Sequence, residues 1–408
     1  MRELYPFQKD AATFHLSHHY SLNCSEMGTG KSAMALSAAK ESGLKIAVFA
    51  PPFLKSSWQA EARVLDCQIE FYPYSKLATV NASKLAESNF WIVDEIHYLK
   101  TPTAQRTQKF YSLLKSIKPK YFLGLTGTPI RNRVPDFWTL IGFCGVNPMG
   151  TSGKTLLPPL NKYHGFCRHF CNMEEVFLPM GRRATKYTTL RLDREAEFKS
   201  YLTNKMIRFR VNDVLKDLPE MTRKEVYIPL KEPDGLHDEF HAYMSGHKTN
   251  STGKKNSALV KSQATAAYCK EILDADESIV VFSDHVDAAK EIHLSFGSKI
   301  SALITGGSSI ENRQRHVEDF QAGKIKALVA TIGALSVGVT LHRARHVVFN
   351  DLSWVPADNL QAEKRIHRIG QKSACFSHYI VSSPTDSYIQ KTLVSKLDTI
   401  NKVLEDKK

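Results

Sequence analysis

Long hydrophobic runs are missing from this sequence of 408 residues. No stretch approaches the roughly 18 consecutive apolar residues of a membrane-spanning helix, so no membrane partner is expected. The opening residues, Met1-Arg2-Glu3-Leu4-Tyr5-Pro6, lack the apolar core of a secretory signal, which points to the cytoplasm. Cysteine is scarce: seven residues, an odd number, are scattered along the chain, as in a reducing compartment. His164, Cys167, His169 and Cys171 crowd together, yet their spacing fits no standard zinc pattern and they read as buried or incidental helix residues. Acidic residues are outnumbered, 41 against 55 Lys and Arg, for a formal net charge of +14. That balance favours a polyanionic partner, nucleic acid before an anionic membrane. No sequence repeat relates the two halves.

What is present is an ordinary globular mixture, 42% hydrophobic and 24% charged, which is enough for two or three domains of about 150 residues. The most informative stretch is Ser25-Glu26-Met27-Gly28-Thr29-Gly30-Lys31-Ser32. Its glycines allow a tight loop whose backbone N–H groups cradle phosphates. Lys31 is placed to reach the β- and γ-phosphates, and the Ser32 hydroxyl to hold Mg²⁺. A good helix former follows (Ala33, Met34, Ala35, Leu36), so the loop is expected at a helix N-terminus, where bound anions are favoured. Ser25 stands where a full P-loop has its first glycine. Upstream, Tyr5-Pro6-Phe7-Gln8 opens a helical stretch, and Gln8 is a candidate for an adenine edge.

Further along, Lys45–Ala50 is a continuous apolar run of the buried parallel-strand type. After Pro51-Pro52-Phe53, the residues Lys55, Ser56 and Ser57 open a helix at the ligand-binding end of that strand and suit backbone phosphates. Phe90-Trp91-Ile92-Val93 runs into Asp94-Glu95-Ile96-His97. Paired carboxylates at a strand end suit an Asp94 that binds Mg²⁺ and a Glu95 that polarises the water attacking a γ-phosphate. Tyr121–Leu125 is a third strand, followed by Thr126-Gly127-Thr128-Pro129, whose hydroxyls can relay the phosphate state. From Pro135 to about Pro219 the strand–helix rhythm breaks. Between Arg182 and Arg210 basic residues alternate with Tyr187, Phe198, Tyr201 and Phe209, as a nucleic-acid groove or a solvated helix face would require.

The rhythm resumes near residue 222, the expected domain boundary, after which Ser245–Ser257 reads as a mobile loop. Strands are expected at 279–283, 300–305, 327–331, 347–351 and 377–381, alternating with helices in a second parallel sheet without a P-loop. The stretch Gln361–Gln371 places Arg365 and Arg368 three apart, on one face of an expected helix. Two guanidiniums on a domain without a P-loop are what an arginine-finger mechanism needs.

The ordered set of Glu26–Ser32, Asp94–His97, Leu125–Pro129 and Gln361–Gln371 resembles motifs I, II, III and VI of the superfamily-two helicases. The ending Arg365-Ile366-His367-Arg368-Ile369-Gly370-Gln371 resembles the Swi/Snf family of DNA translocases, as do Val211–Pro219 and Asp351–Pro356. Gly338-Val339-Thr340-Leu341 resembles motif V. The resemblance covers nearly the whole chain. It implies an α/β fold of two RecA-like parallel-sheet lobes with helical protrusions. Lobe one would span residues 1–222 with a protrusion at about 135–219, and lobe two residues 223–408 with a mobile insertion at about 243–258.

Carried over by position, Gln8, Gly28, Thr29, Gly30, Lys31 and Ser32 bind ATP, and Ser32 and Asp94 hold Mg²⁺. Asp94, Glu95, Arg365 and Arg368 support hydrolysis. Lys55, Ser56, Thr126, Thr128, Gly338, Trp354 and Gln361 are the coupling or DNA-contacting positions. Departures are Ser25, where the family usually has Asp, and Ile96, where it has a small residue. The size leaves no room for bromodomain-, chromodomain- or SANT-like additions. It points to bacterial or viral members, nucleoid-associated or in host cytoplasm, or to the fork-remodelling, strand-annealing branch. The expected activity is a monomeric, DNA-stimulated ATPase translocating on double-stranded or forked DNA, with replication or repair proteins as partners. Two rivals stand beside it: a strand-separating helicase on branched DNA or RNA, and a nucleic-acid-binding scaffold with an ATP switch.

Overall fold

The computed structural model describes residues 3–129, 134–145, 162–177, 183–244, 252–335 and 339–403. Two compact units divide the chain, the first in the main within residues 1–216 and the second within 217–399. The main division falls between Lys216 and Asp217, a few residues ahead of the boundary expected near residue 222. The shift has a local cause: Met221–Tyr227 is already a strand of the second sheet.

In the first unit the apolar runs form parallel strands β1 (Tyr20–Asn23), β2 (Ile46–Ala50), β3 (Ile69–Pro73), β4 (Phe90–Asp94) and β5 (Tyr121–Leu125). A two-stranded sheet joins β6 (Cys171–Phe177) to β7 (Arg183–Leu190), and β8 (Met206–Ile207) returns to the main sheet. The six-stranded order is β3-β2-β4-β5-β1-β8. Strands β1, β2 and β5 are buried along their whole length, as strands covered on both faces must be. Helices α1 (Pro6–Ser17), α2 (Lys31–Ser42) and α3 (Lys55–Val64) follow the same chain.

The region expected as a helical protrusion is built differently. The helix Asp136–Phe143 buries every residue after its first. Phe137, Phe143, Phe166, Phe170 and Phe198 share one apolar cluster with Phe49, Trp91 and Phe122 of the sheet. The same packing decides the basic stretch. Phe198 is buried, Tyr187 and Tyr201 pack against this cluster, and Phe209 meets Phe7 edge-on at 5.4 Å. Phe198 is thus a core side chain, and Tyr187, Tyr201 and Phe209 are half-buried against their neighbours. Neighbouring charges pair locally, Lys199 with Glu195 and Arg191 with Asp193.

The second unit holds β9 (Met221–Tyr227), β10 (Ile279–Ser283), β11 (Ser301–Ile304), β12 (Ala327–Thr331), β13 (His346–Phe349) and β14 (Cys375–Val381) in the order β11-β12-β10-β13-β14-β9, all parallel. Its expected mobile loop is corrected in part. Residues 245–251 lie outside the described residues, but Thr252–Asp274 is a helix of 23 residues. Composition misled because the polar residues of this helix are buried in pairs. Lys254 Nζ meets Asp284 Oδ2 at 2.6 Å. Lys261 Nζ meets Asp386 Oδ2 at 2.7 Å and the Ile380 carbonyl at 3.1 Å.

Removing one partner of a buried ion pair strands the other charge. The Lys261 side chain is 1% exposed and that of Asp386 13%. Lys261→Met should therefore destabilise the protein by about 3 kcal/mol in urea unfolding, with recovery when Asp386 is also replaced by an apolar residue. A loss within the ordinary range of a surface substitution, about 0.5 kcal/mol, would contradict this account of the helix.

Candidate active site

Strand register assembles the site. Leu125 at the end of β5 lies opposite Asp94 of β4 on one side and Asn23 of β1 on the other. The residues that follow these three strands therefore emerge together at the carboxyl edge of the first sheet, where open α/β sheets bind ligands. They are the loop 24–30, the pair Asp94-Glu95, and Thr126–Pro129.

The loop reaches α2 through Gly28 and Gly30, at φ 90° and 83°, and Gly30 is the helix N-cap. Both angles lie in the left-handed region that glycine adopts without strain. Lys31 Nζ donates to the carbonyls of Ser25 (2.9 Å) and Glu26 (3.0 Å), which holds its charge over the loop. Gln8 is buried and tied down at both ends: Nε2 donates to the Thr29 carbonyl (2.9 Å), and Oε1 accepts from Tyr5 N (3.1 Å). It braces the phosphate loop from α1.

Asp94 is half-buried at the end of β4, and its carboxyl is pushed up to about 7, first by desolvation and then by the neighbouring Glu95. Its oxygens accept from Trp58 Nε1 (Oδ2, 2.9 Å) and Glu95 N (Oδ1, 2.9 Å), and Tyr74 OH donates to its carbonyl (2.6 Å). Glu95 sits in the left-handed region at φ 50°, a costly conformation for a non-glycine residue. Its Oε2 lies 3.2 Å from His97 Nδ1, which also meets Thr126 Oγ1 at 3.2 Å. Thr126 Oγ1 in turn accepts from Thr128 N (3.1 Å). Both contacts converge on the one nitrogen, so carboxylate, imidazole and hydroxyl lie side by side between β4 and the end of β5 without forming a relay through the ring. A hydroxyl at Ser32 and a half-buried carboxylate beside a phosphate loop are oxygen donors that suit Mg²⁺.

The arginine stretch in the second unit departs from expectation. The helix Pro356–Glu363 ends before Arg365, so Arg365 and Arg368 do not share a helical face. The side chains themselves stop the ladder: Arg365 Nε donates to the Gln361 carbonyl (3.1 Å) and Arg368 Nε to that of Lys364 (2.9 Å), where backbone N–H groups would otherwise bond. Arg365 is buried, and its Nη1 donates to the Val339 carbonyl (3.2 Å). Arg368 Nη1 reaches Thr340 Oγ1 (3.4 Å). Both arginines therefore bracket the segment after Gly338, a residue outside the described residues. Gln361 is buried, and its side-chain nitrogen has no hydrogen-bond partner among the described residues. Trp354 is stacked on Tyr243 at 4.4 Å with Lys254 Nζ above its ring at 5.1 Å, so it is packed rather than presented. Lys55 and Ser56 are exposed at the start of α3.

Comparison with known proteins gives two family matches. Residues 55–276 match the SNF2-related domain and residues 264–370 the helicase conserved C-terminal domain. The chain belongs to the SNF2-related family. It carries both halves of an SNF2-type ATPase core. It is 28% identical, over 97% of its length, to the SWI/SNF-related matrix-associated actin-dependent regulator of chromatin subfamily A-like protein 1 of Xenopus laevis, and covers 44% of that protein. The Caenorhabditis elegans homolog of that protein is 25% identical, with 99% and 62% covered. The Bos taurus "DNA annealing helicase and endonuclease ZRANB3" is 27% identical, with 94% and 39% covered. The chain thus spans between 39% and 62% of these relatives' lengths. A solved "Sulfolobus solfataricus SWI2/SNF2 ATPase core in complex with dsDNA" is similar at 21% identity and a TM-score of 0.41, with 98% of this chain and 93% of that one covered.

The two departures from the SNF2 pattern have local reasons. Ser25 Oγ accepts from Phe209 N (3.1 Å), part of a seam in which Glu26 N donates to the Phe209 carbonyl (2.8 Å) and Val211 N to Glu26 Oε2 (2.9 Å). Ile96 fills the space over Gly124, where an added Cβ would come within 2.6 Å of its Cδ1. Several contributors escaped sequence reasoning. Trp58 is one. Gly127 is another, since a Cβ there would meet Met27 Cγ at 2.6 Å and Lys31 Nζ at 3.3 Å. Gln371 Nε2 donates to the carbonyls of His342, Ala344 and Ile366, each at 3.1 Å, and fixes the turn that carries the arginines. His169 pairs with Glu197 at 2.9 Å instead of joining Cys167 and Cys171. Among the described residues the group close enough for a metal is Asp284, His285 and Asp351, and Lys254 already occupies Asp284.

Asp94 gives the site a pH signature. In the unfolded chain its carboxyl ionises near 3.8, whereas in the folded protein it holds its proton to about 7. Between those values the unfolded state binds fewer protons, so this group makes stability fall as pH rises. Nucleotide-free protein should lose thermal stability from pH 5 to pH 8 more steeply than Asp94→Asn. Equal slopes would contradict the desolvation of this charge.

Proposed function

We propose that this protein is an ATP-dependent double-stranded DNA translocase, a DNA-stimulated ATPase that remodels DNA or protein–DNA complexes such as forks. The observation that carries the reading is the meeting of Lys31, Asp94, Glu95 and Thr126 at one sheet edge. Lys31 and the N–H groups of residues 28–32 bind the triphosphate, and Gln8 holds the loop's shape. Ser32 and Asp94 would hold Mg²⁺, which when bound would supply neutralising charge to the triphosphate. Glu95 orients the attacking water and takes its proton. Arg365 and Arg368 of the second unit supply charge to the transferring phosphoryl group in the working cycle. Thr126, beside His97, reports the phosphate state. Lys55 and Ser56 grip duplex phosphates, with Thr128, Gly338, Trp354 and Gln361 as coupling positions. The net charge of +14 supports a polyanionic track. Replication or repair proteins are the partners this activity would serve.

ATP hydrolysis should rise with duplex DNA and fall steeply with salt. Glu95→Gln should lower it by about 100-fold or more without loss of ATP binding. A third, triplex-forming strand should be displaced while the duplex stays paired. Release of a labelled strand from a forked duplex would favour an unwinding helicase, and a rate indifferent to DNA would favour an ATP-switched scaffold.

A further inference from the structure

We infer that Trp58 is a positioning residue, whose indole N–H holds the Asp94 carboxylate and links it to the exposed N-terminal end of α3. The inference rests on the reading proposed above and adds a route between its ATP site and its DNA contact. Trp58 is 2% exposed, and Nε1 lies 2.9 Å from Asp94 Oδ2. Indole offers a donor and no acceptor, so towards Asp94 Oδ2 it can only donate. Because Glu95 N takes the other oxygen at 2.9 Å, both oxygens are anchored and the plane of the carboxylate is fixed. Tyr74 OH pins the Asp94 backbone at 2.6 Å. Lone pairs remain on each oxygen for a cation and its waters.

The other end of the linkage is α3 itself. Lys55, Ser56 and Ser57 are exposed on the first turn of this ten-residue helix, and Trp58 is next in sequence. Leu54, immediately before, is buried and seats the helix start. A close-packed interior transmits displacement instead of absorbing it. A phosphate gripped at Lys55 and Ser56 therefore acts on Asp94 through one side chain. Phe in place of Trp58 would keep most of the packing and could donate nothing.

Groups that orient a metal ligand typically cost about tenfold or more in metal affinity when lost. In the ADP-bound full chain, Trp58→Phe should weaken Mn²⁺, read by electron paramagnetic resonance, about tenfold. ADP affinity in EDTA should stay parental. Duplex stimulation of the ATPase should drop, and adding Lys55→Ala in the Trp58→Phe background should lower it no further, although Lys55→Ala lowers it in the parent. A measurement on the unaltered protein guards against a variant that fails to fold. The four tryptophans give four indole ¹⁵N–¹H signals. The signal of Trp58, assigned by replacing the tryptophans one at a time, should shift when duplex DNA is added without nucleotide. Unchanged Mn²⁺ affinity would overturn the hold on Asp94. A stationary Trp58 signal, or additive effects of the two substitutions, would overturn the coupling. A parent ATPase indifferent to DNA would refute the functional reading and the coupling together, leaving the Mn²⁺ comparison to judge the hold on Asp94 alone.

Discussion

A carboxylate that folding partly strips of water is the constraint on which the first unit turns. Asp94 is costly to ionise where it sits, with Glu95 beside it and the sheet beneath it. The structure answers with two N–H donors on its oxygens and a phenol on its carbonyl. Those partners come from α3, from the Glu95 backbone and from Tyr74, so one charge gathers three segments of the unit. The strained backbone of Glu95 belongs to the same arrangement. At φ 50° its side chain is directed to His97 rather than along the strand.

The second unit solves a similar problem with opposite charges. Lys254 and Lys261 are buried on one helix and each meets an aspartate. Arg223 and Tyr379 meet at the buried Glu363, just before the arginine turn. Gln371 closes that turn on three carbonyls. Arg365 and Arg368 are held by hydrogen bonds from their guanidiniums to neighbouring carbonyls and to Thr340 rather than by helical periodicity. Such bonds fix where a guanidinium points more tightly than a fraying helix end would.

The strands were legible because a parallel strand covered on both faces leaves a continuous apolar run, as in Ile46–Ala50 and Ile279–Ser283. The phosphate loop and the paired carboxylates were legible because their chemistry is local. What escaped depends on distant partners. β8 is two residues long and pairs with β1 across most of the first unit's chain length. The Trp58–Asp94 bond spans 36 positions. The first residues of the helix Thr252–Asp274, up to Ser257, read as loop because Lys254 finds an aspartate that no local pattern announces. The spacing of Arg365 and Arg368 implied a shared face, but spacing does not say where a helix stops.

On the proposed function, the phosphate loop of the first unit and the arginines of the second both serve ATP hydrolysis. The most direct test is Arg368→Ala, compared with the parent for both ATP binding and turnover. The account predicts near-parental ATP affinity with turnover lowered about 10³-fold, the scale of a lost arginine finger. Parental turnover, or a loss of binding that accounts for the whole loss of rate, would contradict it.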